Sequence, residues 1–140
     1  RFALAFGSLY LLIGVASFIP ALSIAYGLPR LNLEVSYGLF LGLFPQNIIN
    51  KVAILVFGVA GLLAARSTFD SEWKSTVWAR TVFVVMGTAA VLGIYPPTST
   101  FFGYWPLWGY EAILHGVNAL IAGYFGFVLS STHHDRLLPH

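Results

Sequence analysis

The sequence predicts an all-α integral membrane protein with four transmembrane helices, built as two parallel-repeat hairpins with both termini cytoplasmic. Three observations predict it. Of 140 residues, 58% are apolar, 16% aromatic and only 9% charged, which is more hydrocarbon than a soluble domain of this size buries. Four apolar stretches, each close to the ~20 residues that a bilayer core of ~30 Å requires, are set apart by every cluster of charge. A shift of 61 residues aligns Gly42-Leu-Phe-Pro45 with Gly103-Tyr-Trp-Pro106, each opening a helix, so the second and fourth helices are counterparts.

The first helix is expected over residues 2–19, ending at Pro20, which has no backbone donor to continue the ladder. Residues 1–25 also resemble a signal peptide, with one positive charge, an apolar run and a small-x-small site at Ser23 and Ala25. The membrane-helix reading is preferred, since the chain opens on Arg1 rather than Met and the native start is expected upstream. In the long connection that follows, the apolar run from Tyr37 to Phe44 is too short to span and is expected to lie interfacial or re-entrant. The second helix is expected over 47–65, with Asn47 as N-cap after Pro45.

Arg66, Asp70, Glu72, Lys74 and Arg80 are the densest charge in the chain, and residues 66–80 are expected to form an aqueous loop. The third helix is then expected over 77–95, stopped by Pro96 and Pro97, and the fourth over 110–129. These make one membrane domain, residues 1–129, followed by a polar cytoplasmic tail over 130–140. The first and third helices also correspond: each follows an arginine, carries a late glycine (Gly14, Gly93) and ends at proline. Hairpins that start and finish on one side give parallel rather than inverted repeats.

Orientation follows from the basic residues. Arg1, Arg66, Lys74, Arg80 and Arg136 fall on the side of the termini, and Arg30 and Lys51 fall opposite, which places both termini in the cytoplasm. Tyr104, Trp105, Trp108 and Tyr110 on the far side and Trp73 and Trp78 on the near side are expected as interfacial aromatic belts. Gly7, Gly14, Gly58, Gly61, Ala65 and Gly87 mark the expected seams of close helix packing.

Several functions are excluded. The net charge of +2 comes from too few groups to make the basic stripe of a nucleic-acid surface. With no Cys, thiolate catalysis and Cys-ligated metals are ruled out. There is no phosphate-binding glycine loop, no HExxH and no nucleophile elbow, so an enzyme is not expected.

Ionisable groups inside membrane helices are costly, and the few present become the candidate site. Glu111, His115 and Asn118 stand at i, i+4 and i+7 on one helix face, extended by the small Ala122. One reading makes His115 the axial ligand to the metal of a tetrapyrrole, with Gly116 leaving room for the macrocycle. A single axial histidine suits chlorophyll; a bis-histidine haem would need a second intramembrane His. The other reading has His115 hydrogen-bonding Glu111 or a neighbouring helix and holding the bundle in register, and a proton relay is a third. Asn47, Asn50 and Lys51 are expected to cap the second helix and to snorkel to the interface. His133, His134 and Asp135 sit in the tail, where no fixed geometry for a metal is expected.

The stretch from Leu41 to Asn47 (LGLFPQN), followed by Gly58-Val-Ala-Gly61, together with Phe102-Gly-Tyr-Trp-Pro106 leading to Leu114-His115, resembles the four-helix membrane proteins grouped as domain of unknown function 4383. The resemblance covers about residues 1–129. It implies a bacterial or cyanobacterial setting, in the thylakoid or plasma membrane, and brings no substrate. The family tends to carry histidines early in the second helix where this chain has Asn50 and Ile54, while its helix 4 histidine matches His115, so any shared site is only partly kept here.

The expected function is a non-catalytic accessory subunit of a larger membrane complex, of a photosynthetic kind, holding chlorophyll or carotenoid and contacting membrane lipids and other integral membrane subunits. A small transporter or channel, which needs a polar pathway, and a membrane enzyme acting on lipid or quinone with Glu111 and His115 as acid and base are the alternatives.

Overall fold

A computed structural model of the chain describes residues 1–130; the expected tail, with His133, His134 and Asp135, lies outside them but for Ser130. Four helices dominate: α1 (Phe2–Ala16), α2 (Ile48–Ala65), α3 (Ser71–Ile94) and α4 (Tyr110–Gly123), which continues as a π-helix over Tyr124–Leu129. Three are long and apolar enough to cross a membrane, namely α2, α3 and the combined Tyr110–Leu129. At 15 residues, α1 is shorter, about 22 Å by the usual helical rise. It ends three residues before the expected stop because Ser17 turns its hydroxyl back onto the Gly14 carbonyl at 2.6 Å, and Pro20 opens a separate 3₁₀ turn.

The piece expected to lie interfacial or re-entrant forms a small antiparallel sheet, so the chain is not wholly α. Strands β1 (Ser23–Ile24), β2 (Gly38–Phe40) and β3 (Phe44–Gln46) lie in the order 1-2-3, with Ser23 opposite Phe40 and Gly38 opposite Gln46. The β2–β3 turn is possible because Leu41 and Gly42 both take positive φ, 54° and 72°, where a glycine carries no steric penalty. Pro45 is tolerated because β3 is an edge strand. Phe102 and Gly103, 61 residues later, take the same left-handed pair, 59° and 84°.

The charged stretch 66–80 is not an aqueous loop throughout. α3 begins at Ser71, so Glu72, Lys74 and Arg80 belong to the helix. Charge marks where a bilayer ends, not where a helix ends: Glu and Lys are good helix formers, and Glu72 in the first turn complements the helix dipole. Arg80, although exposed, ties α3 to the last helix, donating from Nε to the Gly126 carbonyl at 2.8 Å and lying over the Phe127 ring. That carbonyl also accepts from the Ser130 hydroxyl at 2.8 Å, within the stretch where the last helix widens to π geometry.

α1 packs antiparallel on α2, and α3 on α4. At the first seam a Cβ on Gly7 would stand 3.0 Å from the Gly58 carbonyl, and one on Gly58 only 2.8 Å from the Leu11 nitrogen. Gly87 is different, its nearest neighbour across the seam at an ordinary 3.7 Å. The core joins the two pairs through Ala3, Tyr10, Ala64, Trp78, Ala79, Val82, Met86, Ala119 and Ala122, the five alanines letting backbones approach. Trp78 is therefore not part of an interfacial belt: it is 6% exposed, and its indole donates to the Phe57 carbonyl of α2 at 3.0 Å. Trp73, by contrast, is well exposed.

Candidate functional site

Asn47 organises one end of the molecule. Its side chain accepts from the Ile49 N–H, and the Asn50 side chain accepts in turn from the Asn47 N–H, each at 3.0 Å, a reciprocal cap of the kind that satisfies helix-end donors. The same Asn47 amide donates to the Leu33 carbonyl at 3.0 Å and to the Tyr104 carbonyl at 2.7 Å. Asn32 repeats the connection, donating from its side chain to Phe102 and from its backbone to Gly103. The loops before α2 and α4 are thus tied together over the helix ends.

Lys51, expected to snorkel, is instead buried beneath this cover. Its ammonium donates to the Ser36 hydroxyl at 2.7 Å and faces the Phe18 ring. Under the loops a hydroxyl and an aromatic face take the place of open water around the ammonium.

Below this cover lies the polar cluster. Glu111 and His115 are 3% and 7% exposed, and His115 Nε2 stands 3.5 Å from Glu111 Oε1. The Asn50 amide also approaches Glu111 Oε1 at 3.5 Å and donates to the Pro106 carbonyl at 3.0 Å. Asn118 is partly buried; its Oδ1 accepts from the Tyr10 hydroxyl at 3.0 Å, and its amide donates to Leu114 of its own helix. The helical spacing therefore does bring Glu111, His115 and Asn118 to one inward face, and the partner of Glu111 is Asn50, its equivalent under the 61-residue shift.

Three members were not assigned to the site from the sequence: Tyr10, Gln46 and Trp105, the last expected in an interfacial belt but lining the interior space. Tyr10 carries one of the two hydroxyls, with Ser8, set amid the apolar middle of α1, a detectable signal. Gln46 precedes the α2 cap and Trp105 lies in the loop before α4, where a side chain reads as a loop residue until the two loops are seen to fold inward.

These residues, with Met86 and Ala89 of α3, line an interior cavity of about 30 Å³. That is room for water and not for a macrocycle. Gly116 leaves no extra room, since its open side faces Ala90 of α3 at contact distance. The residues present thus do not fit a tetrapyrrole on His115. Among the described residues, no group of three His, Cys, Asp or Glu is placed to hold a metal ion. What the arrangement can do is share a proton between Glu111 and His115 on α4 and hydrogen bonds between α2 and α4.

Comparison with known proteins adds a family. Residues 1–128 match the family model described as Domain of unknown function (DUF4383). No curated protein and no solved structure matches the chain. The matched span holds both glycine–proline motifs and every residue of the polar cluster: the chain belongs to the DUF4383 family.

Proposed function

We propose that this protein is a non-catalytic accessory subunit of a larger membrane complex, whose interior cluster locks two helix hairpins while its outer faces meet lipid and partner helices. The observation that carries this reading is the direction of the polar groups. Gln46, Asn50, Glu111 and His115 turn inward around a space of about 30 Å³, too small for a lipid, quinone or pigment. The hydroxyls of Thr81 and Thr88 bond back to carbonyls of their own helix, Val77 and Val84, which leaves them poor material for a polar pathway. Leu12, Leu63, Val91, Ile94, Ile113 and Leu120 stand well exposed, an outer surface suited to hydrocarbon.

In this reading all four helices cross, α1 being completed by residues 17–19 and the sheet, and the hairpins are parallel repeats with cytoplasmic termini. The home is the thylakoid or bacterial plasma membrane. Any chlorophyll or carotenoid of such an assembly lies on the outer faces, between subunits, and not on His115.

The test is purification of the tagged full chain from its native membrane in mild detergent. A complex of fixed stoichiometry is expected, one that survives a second purification and falls apart on Leu120→Asn, with its absorption spectrum unchanged by His115→Ala. A wild-type chain that purifies alone and moves ions or solutes in proteoliposomes would sink the proposal in favour of a transporter.

A further inference from the structure

Four buried side-chain atoms of the residues around the interior cavity have no hydrogen-bond partner among the described residues: Glu111 Oε2, His115 Nδ1, Gln46 Oε1 and Trp105 Nε1. Orphaned buried polar atoms are rare in folded proteins, and four around one small space are not independent accidents. Their chemistry narrows the occupant. Three of the four can accept: His115 presents Nε2 to the Glu111 oxygen, so Nε2 carries the proton and Nδ1 is left as an acceptor. The fourth, the Trp105 indole N–H, is a donor only. A metal ion or an ammonium would suit the acceptors but could take no hydrogen bond from the indole. Water can do both.

We propose that the cavity is a binding site for two ordered water molecules, bonded to each other and held by Glu111, His115, Gln46 and Trp105. The volume agrees, since about 30 Å³ is at least twice the roughly 10–15 Å³ that one water requires. So does the count of hydrogen bonds. Two waters bring four O–H groups: with the carboxyl ionised, three reach Glu111 Oε2, His115 Nδ1 and Gln46 Oε1, and the fourth joins the pair. The Trp105 N–H donates to one of the two oxygens. If Glu111 Oε2 carries a proton, it donates to a water instead. Either way the waters link the α4 pair to the β3 end and to the loop before α4. This site is a property of the isolated chain and does not depend on what the chain docks to.

The test compares two indoles by water-to-protein magnetisation transfer, in nitrogen-15-labelled full-length protein held in lipid nanodiscs. Trp78 is the internal control, because its N–H is already bonded to the Phe57 carbonyl. A strong water cross-peak is expected at the Trp105 indole, several-fold above that at Trp78, and it is expected to vanish in Ala53→Val, which adds carbon to the cavity wall without removing a polar group. No cross-peak at Trp105 in the wild type, one equal to that at Trp78, or one that persists in a folded Ala53→Val would each overturn the proposal. The wild-type comparison needs no variant, so a failure of Ala53→Val to fold leaves it decisive.

Discussion

The two ends of the helix bundle are held together by different physics. At the sheet end, Asn32, Asn47, Asn50 and Glu111 join loops and helices through directional hydrogen bonds. At the opposite end, Ala3, Gly7, Gly58, Gly61 and Trp78 do so by contact, with the Trp78 indole adding one bond to the α2 backbone. Lipid tails give helices no hydrophobic reason to associate, so close packing and interhelical hydrogen bonds are what remain. This molecule uses one at each end. Packing tolerates no added volume, whereas a hydrogen-bonded cover tolerates conservative change so long as donors and acceptors are kept.

The largest effect is therefore expected at the packed end. In Gly58→Leu the new Cβ alone would fall 2.8 Å from the Leu11 backbone nitrogen, an atom that cannot move without α1. Forced separation of the two helices should cost about 3 kcal/mol or more, read as a fall in the detergent-unfolding midpoint with loss of hydrogen-exchange protection in α1. A midpoint within experimental error of wild type would mean that the seam is not tightly closed.

At the sheet end, Asn47→Ala removes the cap of α2 together with both cross-loop donations, and should cost about 3 kcal/mol, about 1 from the cap and the rest from two carbonyls left unpaired. Asn47→Ser separates the parts, because serine caps a helix but cannot reach Leu33 and Tyr104. It should keep the cap and lose about 2 kcal/mol. Equal losses in the two variants would show that the cross-loop bonds alone matter.

Between the ends, Tyr10 belongs to both systems: its ring packs against Phe6 and Trp78, and its hydroxyl donates to Asn118. Tyr10→Phe keeps the ring and removes one interhelical bond, for which about 0.6 kcal/mol is the usual loss within a membrane. A loss as large as that of Asn47→Ala would place Tyr10 with the hydrogen-bonded network rather than at its margin.

What the sequence made legible follows the same division. Apolar length announced α2, α3 and α4, and the i, i+4, i+7 spacing put Glu111, His115 and Asn118 on one inward face. The 61-residue shift paired Asn50 with Glu111, which do meet. Long-range contacts of loops were not legible. Nothing local in Asn32 or Gln46 says that the segments before α2 and α4 fold over the bundle, so the sheet went unread and Lys51 read as a cation snorkelling to the interface. Trp78 misled for a related reason: a tryptophan near charge reads as interfacial, and only the fold shows a carbonyl within reach of its indole. Charge likewise set the start of the third helix too late, since the hydropathy of a span and the hydrogen bonding of a helix end at different residues.

The smallest effect is expected at Tyr37, on the rim of the sheet end, where the idea that this end depends on hydrogen bonds can be tried against a group that makes none. Its hydroxyl is buried with no partner among the described residues, and burial, followed by the nearby Glu34 carboxylate, pushes the phenol above its usual value. The folded chain thus holds the phenolic proton more tightly than the unfolded chain does. That contribution is fully present below the ordinary phenol range near 10 and is lost as pH rises through the folded value. Tyr37→Phe removes no bond, so its melting temperature at pH 7 should match that of wild type, and above pH 10 the variant should be the more stable of the two. A clear loss at pH 7 would mean that the hydroxyl has a partner after all, and that the hydrogen-bonded cover extends one residue further than its geometry indicates.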